Sequence, residues 1–259
     1  MIAPPTARIA VDATGLRWPD GLPKPPCPKG VPMDLILPAP PPVTLAIAGQ
    51  SARFPVRRVY CVGRNYAEHA REMGHDPDRE PPFFFLKPAD ALRGDGVFPF
   101  PPASGDVHHE VELAVLLGRG GCDLAPAAAS NCVLAAAVAL DMTRRDLQAA
   151  AKKAGRPWEA GKAFDHSAPI GPARLVADLP DLAQAGIRLA VNGETRQAAR
   201  LADMIWSVSD IIAHLSGLFT LHPGDVILTG TPAGVGPVAR GDRLEARIDG
   251  LPPLDVTVI

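Results

Sequence analysis

The chain has no CxxC pair, and its four cysteines, Cys27, Cys61, Cys122 and Cys132, are too few and scattered for a disulfide framework or a zinc ribbon. That usage fits a reducing cytoplasm. An excess of positive charge is also missing. Against 28 Asp and Glu stand 26 Lys and Arg, a formal net charge of -2, so the field a nucleic-acid binder needs is not built. The longest unbroken apolar run, Cys132 to Leu140, has nine residues, less than half of the roughly 20 that cross a bilayer. The opening MIAPPTARIAVD lacks a basic start followed by an apolar core, so no secretory signal is expected. Neither GxxxxGK[ST], nor GxSxG, nor GxGxxG after a strand occurs, which removes phosphate-loop, nucleophile-elbow and dinucleotide readings. GVGPVARG has the wrong spacing and no helix after it, and reads as a turn shaped by glycine and proline.

Proline is abundant. Of 30 prolines, 13 fall in the first 55 residues, where LPKPPCPKGVP and LPAPPPV forbid regular helix or central strand. Residues 1–55 are therefore expected to be an arm, either poorly ordered or laid as a strap over the domain or a partner subunit. The native start is expected at Met33, with residues 1–32 an extension. The rest, 56–259, is long enough for one large domain, and a 47% hydrophobic, 21% charged chain of 259 residues is globular in composition.

From Val56 the texture becomes short strands and helices. VRRVYCV and FFFLK read as strands, the second as a buried one. NYAEHAREM reads as a short helix from about Tyr66 to Met73, ended by Gly74. HHEVELAVLLG alternates over Val107 to Leu117, and CVLAAAVALDM is a small-residue apolar run that fits a strand or a buried helix. RRDLQAAAKKAG has helical propensity and a closing Gly155, and GRPWEAGKAFDHSAPIGP reads as a loop. Asn192-Gly193 is the strongest hairpin signal, Ala202 to Leu221 is amphipathic and helical, and GDVILTG and DRLEARIDGLPPLDVTVI are strand-like. Many short strands with few helices predict a strand-dominated α+β domain rather than alternating βαβ units.

On a strand, Glu110 and Glu112 would share one face, about 6.5–7 Å apart along the backbone. Either they face water or they bind one cation. Asp141, closing an apolar run, favours the second reading, because an unpaired buried carboxylate is costly. An all-oxygen set selects Mg²⁺, Mn²⁺ or Ca²⁺ over zinc. His69 and Glu72, three apart on a helix, can meet on one face, and a carboxylate beside an imidazole suits a general base; a surface pair is the alternative. By the same alternation His108 shares the glutamates' face and His109 packs on the other. Lys162 sits among small residues after Trp158, and Arg145 and Gln148 lie one helical turn apart, four residues and more beyond Asp141.

CVGRNYAEHAREM, HHEVELAVLLG, ALDMTRRDLQ, GKAF, VNGE and GDVILTGTPAGVGP together resemble the fumarylacetoacetate hydrolase family, in order and spacing, from about Val56 to the C-terminus. Within it the chain is similar to the short acylpyruvate-hydrolase branch, and FPVRRVYCVGRNYAEHAREMGHDPDREPPFFFLKPADA looks most like fumarylpyruvate hydrolases of aromatic (gentisate) catabolism. The resemblance implies a mixed β-roll or β-sandwich catalytic domain, usually a homodimer, holding Mg²⁺ or Mn²⁺, with Ca²⁺ as a substitute. It places the metal on Glu110, Glu112 and Asp141, the catalytic groups at His69, Glu72 and Lys162, and substrate contacts at Arg64, Tyr66, Arg145, Gln148 and Thr231. The implied reaction is cleavage of the carbon-carbon bond of an acylpyruvate, giving fumarate and pyruvate from fumarylpyruvate. Oxaloacetate decarboxylation or tautomerisation, hydroxymuconate-type isomerisation or decarboxylation, and non-catalytic binding of a metal and an oxo acid are the alternatives. The expected partner is a small oxo acid, with no nucleic acid and no membrane.

Overall fold

The computed structural model describes residues 11–12, 15–16, 36–72, 81–179 and 181–259. The expectations about a start at Met33 and about Gly74 as a helix stop lie outside the described residues, as do residues 1–32 apart from those four. The chain divides into two units, Met1–Pro41 and Pro42–Ile259. The first includes two two-residue strands, Val11–Asp12 and Gly15–Leu16, paired antiparallel.

The second unit begins earlier than proline content suggested. Thr44–Ala46 and Arg53–Pro55 form an antiparallel hairpin whose Leu45 and Phe54 are buried in the core, so the last part of the Pro-rich segment belongs to the domain. Pro55 is tolerated because it closes an edge strand.

A six-stranded mixed sheet forms the centre, in the order Arg174–Leu175, Val133–Leu140, Val111–Leu117, Val226–Leu228, Val59–Gly63, Phe83–Lys87. Val226–Leu228 and Val59–Gly63 pair in parallel and the other neighbours antiparallel. Both faces are covered. Leu113, Val115, Val138 and Leu140 pack with Ile187, Leu189, Leu244 and Ile248 of a five-stranded sheet, while Ala114, Leu116, Ala137 and Ala139 pack with Leu45, Phe54 and Ile170. Val111–Leu117 is therefore buried at every position, where sequence alternation implied one wet face. The Val133–Leu140 run is a strand, as its alanines allow close approach of the second face. Phe83–Lys87 is less buried than its composition promised, because it is the sheet's edge; Leu86 is exposed and only Lys87 is fully buried.

The second sheet contains the Asn192-Gly193 hairpin, Gly186–Val191 against Glu194–Arg200, with both turn residues at positive φ, 53° and 81°. That is the type I′ geometry which Asn-Gly favours. Arg243–Ile248 and Leu254–Val258 close the same sheet. The helix Val208–Leu218, shorter than the amphipathic segment, starts at Ser207 with a capping box to Asp210 and buries Ile211, Ile212 and Leu215. GRPWEAGKAF, read as loop, contains a one-turn helix, Glu159–Lys162. Four residues are too few to leave a periodic signal.

Candidate active site

The site forms where the central sheet meets three connections. The strand Val59–Gly63 ends at Arg64, whose φ of 58° turns the chain, and the helix Ala67–Glu72 follows. Asn65, fully buried, fastens this turn: its Nδ2 donates to the carbonyls of Trp206 (3.0 Å) and Thr229 (2.8 Å), and its Oδ1 accepts from Trp206 N (2.7 Å). Gly230 lies against it, at φ 96°, where a Cβ would stand 2.7 Å from that of Asn65. Only glycine fits, and its N–H donates to Glu112 Oε2 at 2.8 Å.

Oxygens of Glu110, Glu112 and Asp141, all buried, lie within 4.8 Å of one another. The reason differs from simple alternation. Glu110 sits in the break between the strands Val107–His109 and Val111–Leu117, where its carbonyl accepts from Asp141 N (2.8 Å). The break also explains His108: rather than joining the glutamates, it pairs with Asp106 (2.8 Å). His109 packs inward, its Nδ1 3.0 Å from Gln197 Oε1.

Cations surround two of the three acids. Lys162 Nζ donates to Glu110 Oε2 (2.8 Å), Asp141 Oδ2 (2.7 Å) and Thr143 Oγ1 (2.7 Å). Arg145 reaches Glu110 Oε1 (2.5 Å) and donates to Gln148 Oε1 (2.7 Å). Lys87 Nζ stands 2.8 Å from Asp141 Oδ1, off-line for a hydrogen bond but within ion-pair range, and also donates to Ser167 Oγ and the Lys162 carbonyl. Burial would raise the Glu110 carboxyl, but Lys162 and Arg145 outweigh it and hold the group below the usual range. Burial would likewise neutralise Lys162, yet Asp141 and Glu110 keep it charged. Glu112 goes the other way. Burial, then Asp141 and Glu110, pushes its carboxyl well above the ordinary value, with the Gly230 N–H as its hydrogen-bond partner. A buried all-carboxylate set with one acid short of positive charge is the donor chemistry of a hard divalent cation, and Mg²⁺ or Mn²⁺ fits Glu110, Glu112 and Asp141.

One pocket joins these groups to His69, Arg64, Gln148 and Thr231. His69 Nδ1 is 3.2 Å from Glu72 Oε2, and Glu72 also accepts from Gly234 N (3.3 Å), so the carboxylate stands behind the imidazole. The Thr231 hydroxyl is already engaged, donating to the Val111 carbonyl (2.8 Å) and accepting from Gln197 Nε2 (2.8 Å). Tyr66 does not line the pocket. It is 3% exposed, and among the described residues its hydroxyl has no hydrogen-bond partner; burial and then Glu112 raise its pKa.

The structure adds groups that motif reading passed over. Lys87 ends the apolar FFFLK strand, and a charge terminating such a run was the available signal. Lys152 follows Arg145 and Gln148 at helical spacing of three and four, which puts it on their face. Phe83 and Phe85, from the FFFLK run, and Trp158 wall the pocket.

The fumarylacetoacetate (FAA) hydrolase C-terminal family model matches residues 58–259. The structure is similar to that of a fumarylpyruvate hydrolase from Pseudomonas aeruginosa in complex with Mn²⁺ and pyruvate, with 50% identity, 87% of this chain and 99% of that chain covered, and a TM-score of 0.85. The oxaloacetate tautomerase of Escherichia coli K12 is 45% identical over 199 residues, 76% of this chain and 90% of that protein. The mitochondrial oxaloacetate tautomerase of Mus musculus is 44% identical over 196 residues, 75% and 88% respectively. Among the described residues, no helix is long and apolar enough to cross a membrane.

Proposed function

Because the chain belongs to the fumarylacetoacetate hydrolase family, we propose that it is a metal-dependent hydrolase of acylpyruvates that converts fumarylpyruvate and water to fumarate and pyruvate. The observation carrying this reading is the convergence, in one pocket, of a carboxylate-backed histidine, three clustered acids and a buried charged lysine. The similarity to the Pseudomonas fumarylpyruvate hydrolase supports the acyl group. We place the protein in the cytoplasm, as a homodimer.

Glu110, Glu112 and Asp141 are the residues that would hold Mg²⁺ or Mn²⁺, which supplies Lewis-acid stabilisation of the negative charge that builds on the 2-oxo acid. The protein's own groups do the rest. With Nδ1 engaged by Glu72, the His69 Nε2 is the nitrogen that accepts a proton. It takes that proton from water, whose oxygen adds to the carbonyl carbon of the fumaryl end. The bond between that carbon and the pyruvate methylene then breaks, its electron pair goes to the pyruvate fragment, Lys162 donates the proton that completes the methyl group, and the proton held by His69 restores that of Lys162. Arg145 and Gln148 bind and orient the oxo acid, and Phe83, Phe85 and Trp158 keep bulk water from it.

The oxaloacetate tautomerases at 44–45% identity favour a second reading, keto-enol interconversion of oxaloacetate in the same pocket, with its decarboxylation as the related alternative. It needs proton transfer but no water attack. The deciding experiment follows the absorbance of enolised fumarylpyruvate, acetylpyruvate and oxaloacetate in parallel, after EDTA treatment and after Mg²⁺ is restored. Mg²⁺-dependent loss of fumarylpyruvate is the expected result. Turnover of oxaloacetate alone replaces the hydrolase reading with the second one.

A further inference from the structure

The pocket has a second charged region, which the reaction above does not use. Lys152, half-buried on the helix Arg145–Lys153, lines the pocket beside Arg64, Arg145 and Trp158. Its Nζ lies 4.8 Å from the centre of the Trp158 ring. Among the described residues no carboxylate pairs with it. The acid that faces it, Glu110, already carries Lys162 and Arg145. Among the described residues the other charged groups facing it are cations: Arg145 on its own helix, Arg64 from the turn after the Val59–Gly63 strand, and Lys162 from the helix Glu159–Lys162. Burial, then Arg145 and Arg64, lowers its pKa to about 8. A half-buried ammonium among like charges is unfavourable in the free protein, and a bound anion relieves it.

The 2-oxo carboxylate of the substrate belongs at the acidic end, with the residues that would hold the metal. Lys152 is therefore too many cations for a monocarboxylate and the right number for a second carboxylate on the same molecule. We propose that Lys152 is a specificity-determining residue that binds the distal carboxylate and selects dicarboxylic oxo acids over monocarboxylic ones. Trp158 and Phe83 flank that end, and Arg64 lies 4.9 Å over the Phe83 ring, so the stretch between the two carboxylates meets aromatic faces suited to a flat, conjugated linker.

This inference rests on the oxo-acid reading of the site but not on turnover, so the test uses ligands that the proposed chemistry does not consume. The Mg²⁺-loaded protein is titrated calorimetrically with 2-oxoglutarate and with 2-oxopentanoate, which differ in whether the chain ends in carboxylate or methyl. The wild type binds the diacid at least tenfold more tightly. In Lys152→Met, which keeps the aliphatic packing on Trp158, the preference falls below threefold, and Lys152→Arg restores it. A wild type without preference, including one that binds neither ligand, overturns the proposal, as does a preference unchanged in Lys152→Met. Failure of the hydrolase reading is seen separately, as intact selectivity in these titrations without cleavage of any acylpyruvate.

Discussion

The two ends of the pocket are built on opposite terms. At the inner end the cations are held by several partners, Lys162 by Glu110, Asp141 and Thr143, and Asp141 by Lys162 with Lys87 beside it, while Glu112 has the Gly230 N–H. At the outer end Lys152 has a ring face and, among the described residues, no acid paired with it. The buried inner end fixes geometry and governs whether a reaction occurs, while the outer end, half-wet and short of anions, governs which molecule is accepted. The contrast follows from burial, since a buried charge must be paired and a half-exposed one can wait for its ligand.

The largest effect comes from breaking the inner end. Asp141→Ala leaves Lys162 and Lys87 without their shared carboxylate, and removing one partner of a buried ion pair costs about 3–5 kcal/mol. At this chain length that lowers the melting temperature by roughly 6–20 °C, with loss of metal-dependent turnover, readable by calorimetry and by the absorbance assay. A melting point unchanged in Asp141→Ala would mean the two lysines find other partners. His69→Ala separates chemistry from stability: fumarylpyruvate cleavage falls about 10²–10⁴-fold with little change in melting, and oxaloacetate turnover persists if only diketone cleavage needs activated water.

Gln197 ties the second sheet to both strands of the site. Its Oε1 accepts from Val111 N (3.1 Å) and faces His109 Nδ1, and its Nε2 donates to Thr231 Oγ1 and the Pro232 carbonyl, each at 2.8 Å. Gln197→Leu orphans buried groups at about 1–3 kcal/mol each and shifts the glutamates beside Val111. A fall in kcat of about tenfold is expected from such misplacement, with the melting temperature also lowered.

The smallest effect sharpens the outer end. The Lys152 pKa is lowered, so its charge destabilises the free protein most fully below pH 8, and the penalty fades as pH rises from 8 toward the unfolded value. Lys152→Met therefore melts slightly above wild type at pH 7, and the gap closes in alkali. Binding of a dicarboxylate weakens as pH rises past about 8, with monocarboxylate binding flat by comparison.

The strand-dominated architecture was legible because its signals were local: Asn192-Gly193 specified a turn, and His69 and Glu72 fell at helical spacing. The clustering of Glu110, Glu112 and Asp141 was also legible, although the geometry that unites them is a strand break rather than unbroken alternation. What escaped depended on contacts between distant segments. Leu45 and Phe54 are core only because the sheet's second face needs cover, and prolines nearby hid them. Lys152 had the spacing to be found, but its meaning depends on the acid it lacks, which is a property of the folded pocket.

The most direct measurement is the product balance of Mg²⁺-loaded protein acting on fumarylpyruvate, followed by proton NMR. One fumarate and one pyruvate for each molecule of substrate lost is the expected result. Release of carbon dioxide, or exchange between keto and enol forms without fumarate, would contradict the account.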